Sequence, residues 1–176
     1  MNIVLYGDST LARLNKELVL NLEKATPGSI FYNCSTSGFD TNDGLKRSEF
    51  ISTLPADVFV LCFGLNDGAP WKQVDLPDFK NNINEIIRIL GSQRTVFLLP
   101  PLVDESKQTE GHRRDNVTLM NYLATTKEIA ELNGCKYIDI NPALTATGTE
   151  VHVDDGVHLN DLGNEVLVKV VSSILM

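Results

Sequence analysis

No stretch of this chain approaches the roughly 18–20 consecutive apolar residues of a membrane span. The opening Met-Asn-Ile-Val-Leu-Tyr has neither the basic leader nor the cleavage site of a secretory signal. Those residues read as a first strand, so the chain as written is expected to be cytoplasmic, without integral membrane association. Cysteine is scarce: Cys34, Cys62 and Cys135 are the only three, and they lie far apart. Zinc sites and disulfide frameworks need closer clustering or an extracellular setting, so buried free thiols are expected, with no metal. Positive charge is also in short supply. Fifteen Lys and Arg against 23 Asp and Glu leave a formal net charge of −8, and Arg113-Arg114 is an isolated basic pair. That balance argues against nucleic acid and anionic membrane surfaces as partners, while permitting neutral or cationic small molecules.

Internal repeats, low-complexity tracts and inter-domain linkers are absent too. With 176 residues, 43% of them apolar, the chain is the size of one domain (1–176) with a sizeable core. Apolar runs of strand length occur at 2–6, 30–34, 57–63, 95–99 and 136–140. They are rich in Val, Ile, Leu and Phe and mostly lack clean alternation, as expected of strands covered on both faces. Helical spacing fills the intervals. Leu11, Leu14, Leu18 and Leu22 predict a helix over 10–24, and Pro77 opens another whose apolar face runs from Phe79 to Leu90 and which Gly91 stops. Residues 115–132 form a helix ending at Gly134, residues 162–175 follow a candidate N-cap at Asn160, and 44–54 is a further helical segment. Strand–helix alternation over the whole length implies a parallel five-stranded sheet with helices on both faces and right-handed crossovers. The long irregular stretches, 35–42, 64–76, 100–114 and 141–159, all follow strands. They gather on the carboxyl edge of the sheet, where open α/β folds bind ligands.

That edge carries the chemistry. Gly7-Asp8-Ser9 follows the first strand, so Ser9 falls at the first turn of a helix, with its backbone N–H among the unpaired donors of the helix end. Read alone, it is an ordinary N-cap serine. Asp155-Gly156-Val157-His158 lies just before the Asn160 cap. Asp155 is spaced to accept the imidazole Nδ1–H while Nε2 faces Ser9, which would fix the tautomer and make the serine a nucleophile. His152 and Asp154 are of the same kinds, but His152 lies farther from the helix start that pins the loop. Gly64-Leu65-Asn66-Asp67 ends the third strand. Asn66 either offers its amide to an oxyanion or closes an Asn-Asp turn on its own backbone. Gly38, after the second strand, supplies a bare backbone N–H. The 112–115 segment, His112-Arg113-Arg114-Asp115, reads as a charged lid leading into a helix.

In that order, Ser9, Gly38, Asn66 and His158 resemble the four blocks of the SGNH (GDSL-type) hydrolase family, and the resemblance spans the chain. The departure from the common pattern is Thr10, where many members have leucine. The resemblance implies a flavodoxin-like three-layer α/β/α sandwich and a serine esterase, lipase or acylhydrolase needing no cofactor. It also implies Ser9 as nucleophile, His158 as base, Asp155 as orienter, and an oxyanion hole of Ser9 N–H, Gly38 N–H and the Asn66 side chain. The absence of Gly-x-Ser-x-Gly argues against an ordinary α/β-hydrolase. Leu65, Ala69, Trp71, Leu102, Val103 and Val157 flank the catalytic loops as candidates for an apolar acyl pocket. The rival expectations are a flavodoxin-like flavin- or nucleotide-binding module, using the 7–13 turn as a phosphate cradle, and a hydrolase-fold binding protein without activity.

Overall fold

Five runs dominated by β-branched and aromatic residues pair side by side, all in the same direction, in a computed structural model that describes residues 1–72, 74–111 and 113–175. The strands are β1 (Asn2–Gly7), β2 (Ile30–Asn33), β3 (Val58–Cys62), β4 (Thr95–Leu99) and β5 (Lys136–Asp139), and their spatial order is β2-β1-β3-β4-β5. His112, at the head of the expected lid segment, lies outside the described residues, as do Gln73 and Met176. Alternation along β1 assigns its side chains to two separate cores. Val4 and Tyr6 join Phe59, Leu61 and Phe97 on one face, under α3 (Thr41–Ser52), α4 (Leu76–Leu90) and α5 (Asn116–Asn133). Ile3 and Leu5 join Val60, Cys62 and Leu98 on the other, under α1 (Ser9–Ala12), α2 (Lys16–Ala25), α6 (Asn141–Thr145) and α7 (Asp161–Leu175). The result is the expected three-layer α/β/α sandwich. Strands β1, β3 and β4 are covered on both faces as the apolar runs imply. The edge strands are not: Ile30 and Tyr32 of β2 and Tyr137 of β5 remain exposed.

Helix boundaries follow their caps. Asp75 accepts the Asp78 N–H to start α4, Pro77 sits in its first turn, and Gly91 ends it at φ +91°. Gly134 closes α5 in the left-handed region, and Asn160 accepts the Gly163 N–H at the head of α7. The single helix expected over 10–24 is two. Asn15 accepts the Leu18 N–H and begins α2 afresh, while Asn33, from the end of β2, donates to the carbonyls of Leu11 (2.8 Å) and Leu14 (3.4 Å) at the break. Helix α3 begins three residues earlier than expected because Asp40 accepts the Asp43 N–H. The 141–159 stretch contains the short helix α6.

The strand order reverses between β1 and β3, so the loops leaving these two neighbours diverge and open a crevice at their carboxyl ends. The two strands meet closely there. The Asp8 N–H donates to the Cys62 carbonyl (3.1 Å), and a Cβ on Gly7 would lie 2.2 Å from that oxygen. Gly7→Ala must therefore part β1 from β3. It should destabilise the fold by at least the cost of overpacking, about 1–3 kcal/mol, read as a lowered urea midpoint at unchanged slope; an unchanged midpoint would contradict the contact.

Candidate active site

Ser9 is presented by a turn that the sequence builds in three steps. Gly7 ends β1 against β3, Asp8 caps α1 by accepting the Thr10 N–H (2.8 Å), and Ser9 becomes the first helical residue, 4% exposed. Its Oγ lies 3.0 Å from His158 Nε2, and His158 Nδ1 lies 2.6 Å from Asp155 Oδ2. The other oxygen of Asp155 accepts the N–H groups of Val157 (2.8 Å) and His158 (2.9 Å), which aims the carboxylate at the ring. Partial burial pushes the Asp155 carboxyl up, but those N–H groups and the imidazole outweigh it and hold the group at about 2. Asp155 is thus ionised across the neutral range. An anion at Nδ1 keeps the proton on that nitrogen and leaves Nε2 as the acceptor for the serine hydroxyl.

Gly156 makes this loop possible. At φ +69° a Cβ would come within 2.3 Å of the Asp104 carbonyl, and the Asp104 N–H donates to the Gly156 carbonyl (2.7 Å). The 153–158 loop is thereby docked on the 100–115 loop. His152 faces elsewhere, with Nε2 2.9 Å from the Leu102 carbonyl and Nδ1 3.6 Å from Glu150. The exposed Asp154 borders the open cavity beside His158.

Asn66 and Asp67, adjacent in sequence, divide the two readings of their turn. Asp67 accepts the Gly64 N–H (3.1 Å) and the Thr41 N–H (2.8 Å), tying β3 to the start of α3; burial lifts its carboxyl to about 6 despite those bonds. The Asn66 side chain bonds none of its own turn. Its Nδ2 donates to the Phe39 carbonyl (2.8 Å), next to Gly38, and its Oδ1 accepts from Arg114 Nη2 (2.8 Å). The turn bearing Gly38, at φ +81°, is tied back to β1 by Thr36 N–H donating to the Gly7 carbonyl (2.9 Å). Among the described residues, the backbone N–H groups of Ser9 and Gly38 donate to no protein acceptor.

Arg114 is the site residue that sequence reasoning misplaced. Read as part of a charged lid, it is half-buried behind Asn66, its guanidinium 4.8 Å from the centre of the Trp71 ring. The available signal was its position: an arginine on a long loop at the ligand-binding edge. The acyl-pocket set also needs correction. Leu65 (1% exposed) packs with Val103, Leu119 and Val157 in a small core beneath the loops. Leu102 and Val103 border a separate cavity of about 460 Å³ containing His152, and Ala69 borders another near Tyr122. The cavity beside His158, about 320 Å³, is walled by Trp71 and Val157, and otherwise by polar residues including Lys107, Gln108 and Arg114.

Residues 5–166 match the model of the GDSL-like Lipase/Acylhydrolase family, and the chain belongs to that family. Solved structures agree in fold. A lipase/acylhydrolase from Enterococcus faecalis is 25% identical, covering 99% of this chain and 94% of that one, with a TM-score of 0.88. The acetyl xylan esterase AlAXEase is 22% identical over the whole of both chains, TM-score 0.81, and Axe2 from Geobacillus stearothermophilus is 17% identical over 97% and 91%, TM-score 0.77. Among curated proteins, no sequence is significantly similar. No helix of the described residues is long and apolar enough to cross a membrane.

Asp8, fully buried beneath Ser9, has one oxygen with no hydrogen-bond partner among the described residues, and burial pushes its carboxyl up from the usual 3.8 to about 7. Between those two values the folded chain binds more protons than the unfolded one. Stability from Asp8 is therefore fully present below about pH 4 and is lost as pH rises towards about 7. Asp8→Asn, which keeps an acceptor for the Thr10 N–H, should remove that loss. Comparing urea midpoints of both proteins at about pH 5 and pH 7.5 tests it; equal pH dependence in the two would refute the assignment.

Proposed function

We propose that the chain, working as a single domain, is a serine esterase that cleaves carboxylic esters of small or lipid-like substrates through an acyl-enzyme. The observation carrying this reading is the unbroken line Ser9 Oγ–His158 Nε2–Nδ1–Asp155 Oδ2, with spacings of 3.0 and 2.6 Å, at the end of β1. His158 takes the hydroxyl proton as Ser9 Oγ attacks the ester carbonyl. The negative charge passes to the carbonyl oxygen, where Ser9 N–H, Gly38 N–H and the free N–H of Asn66 donate to it. The intermediate collapses with loss of the alcohol, to which His158 returns the proton. Water then repeats the sequence on the acyl-enzyme, releasing the acid and restoring Ser9. Asp155, anionic throughout, stabilises the imidazolium that forms in both halves.

The cavity beside His158 favours a polar alcohol as the leaving group. It holds about 320 Å³ and borders the residue that protonates the departing alcohol. Its polar wall suits a hydroxylated leaving group, and the similarity to an acylhydrolase at 25% identity supports the reaction class. The phosphate-cradle alternative is disfavoured by Asp8, an acid buried in the turn where the phosphate would lie.

Ser9→Ala should abolish hydrolysis of p-nitrophenyl acetate and labelling by a fluorophosphonate probe, with the fold intact. Turnover by a cleanly folded Ser9→Ala protein would remove Ser9 as nucleophile. His158→Ala should be as inactive, while His152→Ala retains activity; the reverse pattern would reassign the base. Asn66→Ala should lower kcat by roughly 10²–10³ with little change in KM, as expected for a donor that acts in the transition state. A normal kcat would reduce Asn66 to a structural role.

A further inference from the structure

We propose that Arg114 is a positioning residue that holds the Asn66 amide in the one orientation able to donate to the oxyanion, and strengthens that donor. The inference rests on the oxyanion role proposed for Asn66. A side-chain amide has an accepting end and a donating end, and an asparagine turned over presents the wrong one. At Asn66 both ends are determined by partners that cannot change role. Arg114 has only donors and lies 2.8 Å from Oδ1; the Phe39 carbonyl only accepts and lies 2.8 Å from Nδ2. Turning the amide over would set oxygen against oxygen at Phe39 and N–H against N–H at Arg114. The orientation therefore follows from chemistry alone. Of the two hydrogens on Nδ2, Phe39 takes one, and the other remains for substrate.

Arg114 is itself fixed on every side. Its Nε donates to the Leu65 carbonyl (2.9 Å), so a single guanidinium spans the backbone of one residue and the side chain of the next. Trp71 lies against its face. Its backbone is gripped by Gln108, whose Oε1 accepts the Arg114 N–H (2.7 Å) and whose Nε2 donates to the Arg114 carbonyl (2.9 Å). Asn116 grips Val103 in the same two-bond manner, and Asn141 bridges Leu102 and Pro100, so the described residues of the 100–115 loop form a braced wall from which the guanidinium reaches the site. Burial lowers the guanidinium's hold on its proton, and the facing negative charges of Asp8 and Asp155 oppose that effect. A charge-assisted bond at Oδ1 draws electron density from the amide and makes its remaining N–H a stronger donor as negative charge develops on substrate.

A cycle of Arg114→Met and Asn66→Ala, with kcat and KM for p-nitrophenyl acetate and a thermal midpoint on each protein, tests the proposal. Arg114→Met alone should lower kcat by roughly 10²-fold, the scale of a misplaced catalytic group, with KM changed little. In the Asn66→Ala background the same substitution should cost almost nothing further, because the group through which it acts is gone. An equal kcat penalty in both backgrounds would overturn the proposal, as would a rise in KM at constant kcat, which would make Arg114 a substrate-binding residue. A normal kcat for Asn66→Ala alone is a different result, sinking the oxyanion reading itself. If Arg114→Met does not fold, the cycle is read with Arg114→Lys. It keeps the charge and the stem but lacks the planar fork that spans Leu65 and Asn66, and should show the same loss of effect on the Asn66→Ala background.

Discussion

The hydrogen bond from the Asp8 N–H to the Cys62 carbonyl joins the ends of two neighbouring strands whose following segments turn away in opposite directions. Everything assembled at the crevice depends on that join. It brings the Ser9 turn beside the loop carrying Asn66, and it requires Gly7, because the two backbones approach too closely for any side chain at that position. The cap on α1 then sets the direction of Ser9. Because α1 is a single turn before Asn15 starts α2, Ser9 stands on a short, sharply delimited helix end.

Around this point the molecule assigns one task to each loop and secures each loop by a polar side chain. Asp67 accepts from Gly64 and from Thr41 on α3, so the turn after β3 is held without spending Asn66 on it. Asp155 uses one oxygen to shape its own turn and the other to orient His158. Asp155, Asp8 and Asp67 thus stand in different states around the crevice. Asp155 is held at about 2 by surrounding donors, while burial lifts Asp8 to about 7 and Asp67 to about 6. The one most exposed to solvent is the one that faces the imidazole; the two buried ones organise backbone.

Strands, several caps and the Asp155–His158 pair were legible in the sequence because each rests on local pattern, and Ser9 was joined to that pair by the order of the family's sequence blocks. β-branched runs mark β1, β3 and β4; Asn160, Gly91 and Gly134 mark helix ends; and the three-residue spacing of Asp155 and His158 fits one turn of loop. What escaped depends on partners far apart in the chain. The break between α1 and α2 is completed by Asn33 on β2, which no periodicity in 10–24 can reveal. Arg114 acquires its place only when the 100–115 loop meets the end of β3. Leu65 looked like a wall residue by its neighbours in sequence, yet it packs on Val103, Leu119 and Val157, contributed by three other segments.

The wall of the site is braced chiefly by neutral amides: Gln108 on Arg114, Asn116 on Val103, and Asn141 on Pro100 and Leu102. Amides do not titrate, and their hydrogen bonds are little screened by dissolved ions, unlike bonds between opposite charges. Salinity and acidity that loosen the half-exposed ion pair Lys107–Glu150 therefore leave these amide bonds in place. These amide bonds are in this way insulated from the ionic composition of the medium.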